Sequence, residues 1–358
     1  MIRAHLSPQL ALPTLAREPV FPATRYQGSK LKIADWIWQH IRDLNFDTAL
    51  DAFGGTGVVS HLLKRHGKTV FYNDALRFNF LIGLALIENR DVILSDADIA
   101  WLLATHPQIR YEHFIEQTFG DVFFTDDENR WLDRVIGNIR AFENKYKQAL
   151  ACFALFQACI AKRPYNLFHR RNLYIRTAEV ERTFGNKTTW NKPFAEHFQN
   201  FVAEANAAVF DNGKANVALN QDVFDIVGHF DLVYIDPPYI AASGVGVDYR
   251  DFYHFLEGIA DYDCWSARID HRLKHKGLTR VRSEWTDKRK IQSAFDRLFA
   301  KFRDSILVVS YRSNGIPSVA EFVALLQKYK TRVSKVETRD YQYALSRNPA
   351  QEVLMIAQ

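Results

Sequence analysis

Two seven-residue runs, F-D-L-V-Y-I-D (230–236) and S-I-L-V-V-S-Y (305–311), are apolar at successive positions instead of at every second one. A strand of that kind must be covered on both faces, so the pattern predicts a mostly parallel sheet buried under helices, an α/β fold. Earlier runs, T-A-L-D-A-F (48–53) and K-T-V-F-Y-N-D (68–74), supply further strands. Two last runs, 332–345 and 352–357, joined by S-R-N-P-A-Q, read as an antiparallel pair at the sheet edge. A helix is expected from Ser29 to Leu44, because Ile33, Trp36, Ile37 and Ile41 recur at helical spacing. Capping boxes at Thr125/Glu128 and Ser318/Glu321 open helices expected to run to Phe142 and to about Lys330.

The ends of two of these strands carry chemistry. After Phe53 the chain reads G-G-T-G-V-V-S, a glycine turn (Gly54, Gly55, Gly57) leading into a helix that runs to about Lys64. Such a turn lets a cofactor approach the backbone closely at a helix N-terminus. No Gly-Lys-Ser/Thr follows it, which excludes a Walker loop, and Ser60 stands at the third glycine position of the dinucleotide fingerprint. Asp74 ends the next strand, where an acid can accept hydrogen bonds from both ribose hydroxyls of an adenosine-type cofactor. The run 230–236 ends in Asp236-Pro237-Pro238-Tyr239. A carboxylate and a carbonyl held by stiff prolines can both accept from an exocyclic amine, while an aromatic ring beside them can stack on a flat base.

These motifs keep a fixed order along the chain: R-Y-Q-G-S-K (25–30), D-A-F-G-G-T-G (51–57), Y-N-D (72–74), Q-D-V-F (221–224), D-P-P-Y (236–239) and V-V-S-Y-R-S-N-G (308–315). In that order the chain resembles the Dam-like, alpha-group N6-adenine DNA methyltransferases over most of its length. The resemblance implies a Rossmann-like sheet that binds S-adenosylmethionine, plus a helical insert that reads double-stranded DNA. By it, Asp236, Pro237, Pro238 and Tyr239 would hold a flipped adenine. Tyr26, Lys30, Phe53, Gly55, Gly57, Asp74, Asp222 and Phe224 would hold the cofactor, with Tyr26 and Lys30 at its methionine end. Gln221 replaces a frequent glycine, and the stretch after Tyr239 is longer than in compact members. The N4 amine of cytosine, adenine in RNA, and a non-catalytic DNA-binding role are the alternatives.

The organisation expected is an N-terminal arm (1–22), a catalytic domain (23–75 and 211–358, with a basic insert at about 241–300) and a helical target-recognition insert (76–210). The chain carries a net +5, and its distribution is uneven. Residues 162–192 hold eight Lys/Arg against two Glu, and residues 268–290 hold nine against three acids. Each segment is thus more basic than the whole chain, so the remainder is acidic, as a polyanion-binding surface requires. The first interleaves Tyr165, Phe168, Tyr174, Phe184 and Trp190, rings that can stack on or wedge between bases. Arg170, Arg171, Asn172 and Arg176 are its candidates for reading bases, and Lys274, Lys276 and Arg280 of the second segment for gripping phosphates. Three scattered cysteines fit a reducing cytoplasm, and no metal site is expected. The stretch 149–161 is too short to span a membrane and reads as a buried helix. A monomer is expected, with a cognate restriction endonuclease as a further partner.

Overall fold

The computed structural model describes residues 19–179, 187–244, 246–341 and 350–358. Its strands in chain order are β1 (Thr48–Asp51), β2 (Thr69–Asn73), β3 (Val217–Leu219), β4 (Leu232–Ile235), β5 (Ile240–Ala241), β6 (Ile306–Arg312), β7 (Gly315–Ile316), β8 (Val333–Tyr341) and β9 (Ala350–Ala357). Seven form one sheet in the order β3-β2-β1-β4-β6-β9-β8, and β5 pairs with β7 apart from it. The strands from β3 to β6 run parallel. The antiparallel strand β9 lies between β6 and the edge strand β8. The mostly parallel sheet with an antiparallel edge pair is therefore present, although residues 342–345 of the expected strand and 346–349 of the connecting S-R-N-P-A-Q lie outside the described residues.

Both faces are covered, which is why successive residues of the central strands are apolar. Ala49, Val70, Tyr72, Tyr234 and Val308 pack in one core cluster; Leu50, Val233, Ile235, Leu307 and Val309 pack in the other. Helices Ile291–Lys301 and Val319–Gln327 cover the second face through Phe295, Leu298 and Phe322. The first face is covered by helices that follow β2, above all Lys145–Ala161, which is buried on every side along most of its length. Among the described residues, every element between β2 and β3 is helical. This block does not stand apart from the sheet, because Phe78, Phe156 and Phe201 share a core cluster with Ala49 and Tyr72. Phe255 and Trp265, from the stretch after Asp236, join the same layer.

Both capping boxes are formed, and their helices span Asp126–Arg140 and Val319–Gln327. The expected Ser29–Leu44 helix is shorter: a 3₁₀ turn at Leu31–Ile33 precedes a helix at Ala34–Ile41. The reason lies in residues 26–30, where Gly28 takes φ +87° and Lys30 turns its side chain into the protein. Of the expected arm, residues 1–18 lie outside the described residues, and Phe21 packs edge-on against His61. No helix among the described residues is long and apolar enough to cross a membrane.

Candidate functional site

From β1 the chain crosses to β2 on one side, while β4 lies on the other. At such a switch in strand order, the loops leaving the carboxyl ends diverge and open a crevice. The glycine turn follows β1 and Asp236 follows β4, so two motifs about 180 positions apart in sequence meet at that crevice. It deepens into a cavity of about 460 Å³, a size suited to a small-molecule ligand. Tyr26, Lys30, Phe53, Gly55, Asp74, Asp222, Phe224 and all four residues 236–239 line it.

The glycine turn is held by its neighbours. The Gly54 N–H donates to the Asn73 carbonyl (2.7 Å), and a Cβ at Gly54 would lie 2.1 Å from the Tyr72 ring. Gly55 and Gly57 have φ of +52° and +77°, and Gly57 is the N-cap of helix Val58–Arg65. Gly57 shapes the turn but does not itself line the cavity. Asp74 is tied into the turn. Its Oδ2 accepts from the Gly55 N–H (3.0 Å) and the Asn79 amide (3.1 Å), and its Oδ1 from the Leu76 N–H (2.8 Å). Burial outweighs these bonds and pushes its carboxyl up to about 6. Asp51, at the end of β1, opens the motif 51–57 but was given no role from the sequence. It is 1% exposed, its Oδ2 accepts from Ser60 (2.7 Å), and its Oδ1 has no donor among the described residues. Burial pushes it up to about 7, with the nearby Asp236 and Asp74 carboxylates adding to the shift.

A second end of the cavity is built from Asp222, Phe224 and a residue the motifs did not reveal, Trp285. The Phe224 and Trp285 rings lie nearly parallel at 5.9 Å, and Phe53 meets Trp285 edge-on at 4.8 Å. Arg297 sits 4.3 Å above Phe224 and pairs with Glu284 at 2.6 Å. Trp285 comes from the basic segment 268–290, read from sequence as a phosphate grip. The segment is divided. Its residues 281–286 form cavity wall, whereas Lys274 and Arg280 are exposed and Lys276 is half-buried in a turn around residues 268–279.

On the other side, Lys30 reaches past the expected methionine end. Its ammonium lies 3.1 Å from Asp236 Oδ1 and 2.9 Å from Glu352 Oε1, and it donates to the Tyr239 hydroxyl. The Tyr239 hydroxyl is also 2.5 Å from Asp236 Oδ1. Both contacts fall on one oxygen, and no described residue donates to Asp236 Oδ2, which belongs to a side chain still 15% exposed at the cavity. Burial raises the Asp236 carboxyl, Lys30 pulls it down, and Glu352 pushes it up again. Tyr26 stacks on Tyr253 (4.5 Å) and Tyr249 (5.5 Å). Glu352 was invisible in the sequence, since a lone acid at the start of an apolar strand carries no local sign of its partner; Ser310 stood in the motif 308–315 without a role.

The expected DNA-reading residues divide in the same way. Arg170 and Arg171 are exposed, with the Arg171 guanidinium on Asp121. Asn172 and Arg176 point inward, which corrects the expectation that they read bases. Asn172 accepts from the buried Arg163, and the Arg176 side chain, 6% exposed, pairs with Glu128 at 2.6 Å. Lys162 pairs with the same Glu128. Three cations of the first basic segment are therefore spent inside the fold, because a buried charge must be paired. Phe168 and Trp190 are buried too, Phe184 lies outside the described residues, and Tyr165 and Tyr174 remain outward, 61% and 67% exposed. Tyr165 and Asn166 both have left-handed backbone, φ +62° and +59°. Such backbone costs roughly 1–3 kcal/mol for a residue with a Cβ and is concentrated at functional turns.

Comparison with known proteins gives a consistent picture. Residues 26–324 match the D12 class N6 adenine-specific DNA methyltransferase family. The type II methyltransferase M2.HphI of Haemophilus parahaemolyticus is 31% identical over 328 residues, covering 89% of this chain and 92% of that protein. The modification methylases LlaI of Lactococcus lactis subsp. lactis and StsI of Streptococcus sanguinis are 28% and 25% identical, and the chain spans about half the length of each.

Proposed function

The chain belongs to the D12 class of N6 adenine-specific DNA methyltransferases, and on that premise we propose that Asp236 and its neighbours receive a flipped adenine while the glycine turn holds S-adenosylmethionine. It is an adenine-specific DNA methyltransferase of the restriction–modification kind, and the N4-cytosine, RNA and non-catalytic readings fall away. Bound there, S-adenosylmethionine supplies an electrophilic methyl group on a sulfonium. The residues present fit that group. Asp51 offers a buried acceptor without a donor, Asp222 an exposed acid, and Phe53, Phe224 and Trp285 an apolar wall.

The observation that carries the catalytic assignment is the asymmetry of Asp236, a cavity-lining residue with one oxygen occupied by Lys30 and Tyr239 and no donor to the other among the described residues. An adenine amine donates one proton to the open oxygen and the other to the Pro237 carbonyl. Both bonds draw the nitrogen toward a pyramidal shape with its lone pair aimed at the methyl carbon, and transfer is then a matter of positioning and electrostatics. The donor would supply the methyl group and leave as a neutral thioether, and the proton that the amine shares with Asp236 would pass to that carboxylate once the N–C bond had formed. Extruding the base costs a few kcal/mol, which DNA contacts from the helical block offset. One chain holds the cavity and the basic turns, which is compatible with action as a monomer; a cognate endonuclease is the further partner of this reading. Incubation of unmodified duplex DNA with labelled S-adenosylmethionine, followed by nucleoside analysis, tests the reading. N6-methyladenine is expected, and labelled cytosine alone would overturn it.

Two further outcomes follow. Trp285→Ala should weaken binding of S-adenosylhomocysteine by about tenfold or more in calorimetry, because an aromatic contact is worth roughly 0.5–1.5 kcal/mol beyond its buried area. The slope of DNA affinity against salt should stay unchanged, since Trp285 carries no charge. Tyr165→Ala should weaken base extrusion, read from the fluorescence of 2-aminopurine at the target position. The loss should be roughly 1–3 kcal/mol, the worth of one stacked ring, and an unaltered signal would remove Tyr165 from the DNA surface.

A further inference from the structure

Glu352 lies on β9, beyond the residues that match the family, and is fully buried. Its Oε1 accepts from Ser310 (2.5 Å), stands 2.9 Å from the Tyr239 hydroxyl and takes an ion pair from Lys30 at 2.9 Å. A carboxylate at such a position is costly, and an apolar side chain on a central strand would suit the fold better. Its contacts run to the two groups that grip Asp236. Lys30 is one ammonium shared by two carboxylates, and the Tyr239 hydroxyl has one proton for two carboxylate neighbours. Whatever Glu352 takes from Lys30 and Tyr239 is withheld from Asp236.

We propose that Glu352 is a positioning residue for methyl transfer, which holds Lys30 and Tyr239 in a shared geometry so that Asp236 stays an effective acceptor for the adenine amine. The inference rests on the reading of Asp236 given above. Without the Glu352 charge, Lys30 and Tyr239 bear more strongly on Asp236, and a carboxylate with two stronger donors is a poorer acceptor for a third. Among the described residues, these groups lie around Glu352. From the N-terminal turn comes Lys30, from β1 Asp51, and from β4 and its following turn Tyr234, Asp236 and Tyr239. On β6 Ser310 faces Glu352, and Arg312, its register partner, is bonded to Asn314; on β8 the register partner is Arg339.

The test is the pH profile of single-turnover methylation in Glu352→Gln, which removes the charge and keeps the shape. Glu352 raises the Asp236 carboxyl, so its removal lets Asp236 ionise at lower pH. The acid limb should move to lower pH, and the plateau should fall by about tenfold as the acceptor weakens. Calorimetric affinity for S-adenosylhomocysteine should hold. Glu352→Asp keeps the charge and should keep the limb, as should Ser310→Ala. A Glu352→Gln enzyme with an unmoved limb overturns the proposal, whether or not its plateau falls, since a merely structural role would lower the plateau alone. Asp236→Asn separates the two readings. If that variant turns over normally, the assignment of Asp236 fails; if it is inactive while Glu352→Gln behaves as wild type, only the role of Glu352 fails.

Discussion

Asp236→Ala should lower the single-turnover rate of adenine methylation by about 10²–10⁴-fold, the range for removing one positioned polar group from a reacting centre. Its loss takes away the open oxygen that meets the amine and leaves Lys30 and Tyr239 aimed at empty space. S-adenosylhomocysteine should still bind within a few-fold, because the glycine turn, Asp74 and the Phe224–Trp285 wall are untouched. A labelled-methyl assay beside calorimetry reads both quantities. Turnover within tenfold of wild type would remove Asp236 from the chemistry, and loss of both activities would indicate an unfolded site.

The second large effect is on stability. Lys30→Met removes a buried ammonium that pairs with both the Asp236 and the Glu352 carboxylates. Breaking a buried pair in this way costs about 3–5 kcal/mol, a large share of the total stability of a domain. The penalty depends on pH with a definite sign. Lys30 holds Asp236 down, so its removal raises the folded-state pKa of Asp236 further above the unfolded value. A carboxyl shifted upward on folding favours the folded state when protonated, so the penalty is smallest in acid. It grows as the pH rises through the wild-type folded value of about 6 toward the higher one in the variant, because below that range both proteins lose stability alike. Urea midpoints across that range measure it, and a pH-independent loss would contradict the account.

Much of this site can be read along the chain because its two halves are contiguous motifs. Gly54–Gly57 and Asp236–Tyr239 each follow an apolar strand, and parallel-sheet rules place both at carboxyl ends. What escaped the sequence is what depends on contacts between distant residues. Glu352 reaches Tyr239 across 113 positions, and nothing around it marks the meeting. Asn172 and Arg176 looked like base readers because composition counts a polar side chain without its partner, here Arg163 and Glu128. Trp285 sits among lysines and arginines, yet its ring closes the cavity because the chain folds back over Phe53 and Phe224. Lys30 shortened the expected helix for the same reason, since its partner lies in the sheet.

The core that the helical block shares with the sheet limits how the specificity of such an enzyme can be rewritten. A cassette exchange of residues 76–210 with a relative would set foreign side chains against Ala49, Tyr72, Phe255 and Trp265, which now interlock with Phe78, Phe119 and Phe156. Cores pack closely, so such a chimera would lose stability before its new preference could be read. A graft restricted to the outward side chains of Tyr165, Arg170, Arg171 and Tyr174 leaves that interlock whole. Retargeting would then proceed by point changes on a fixed chassis.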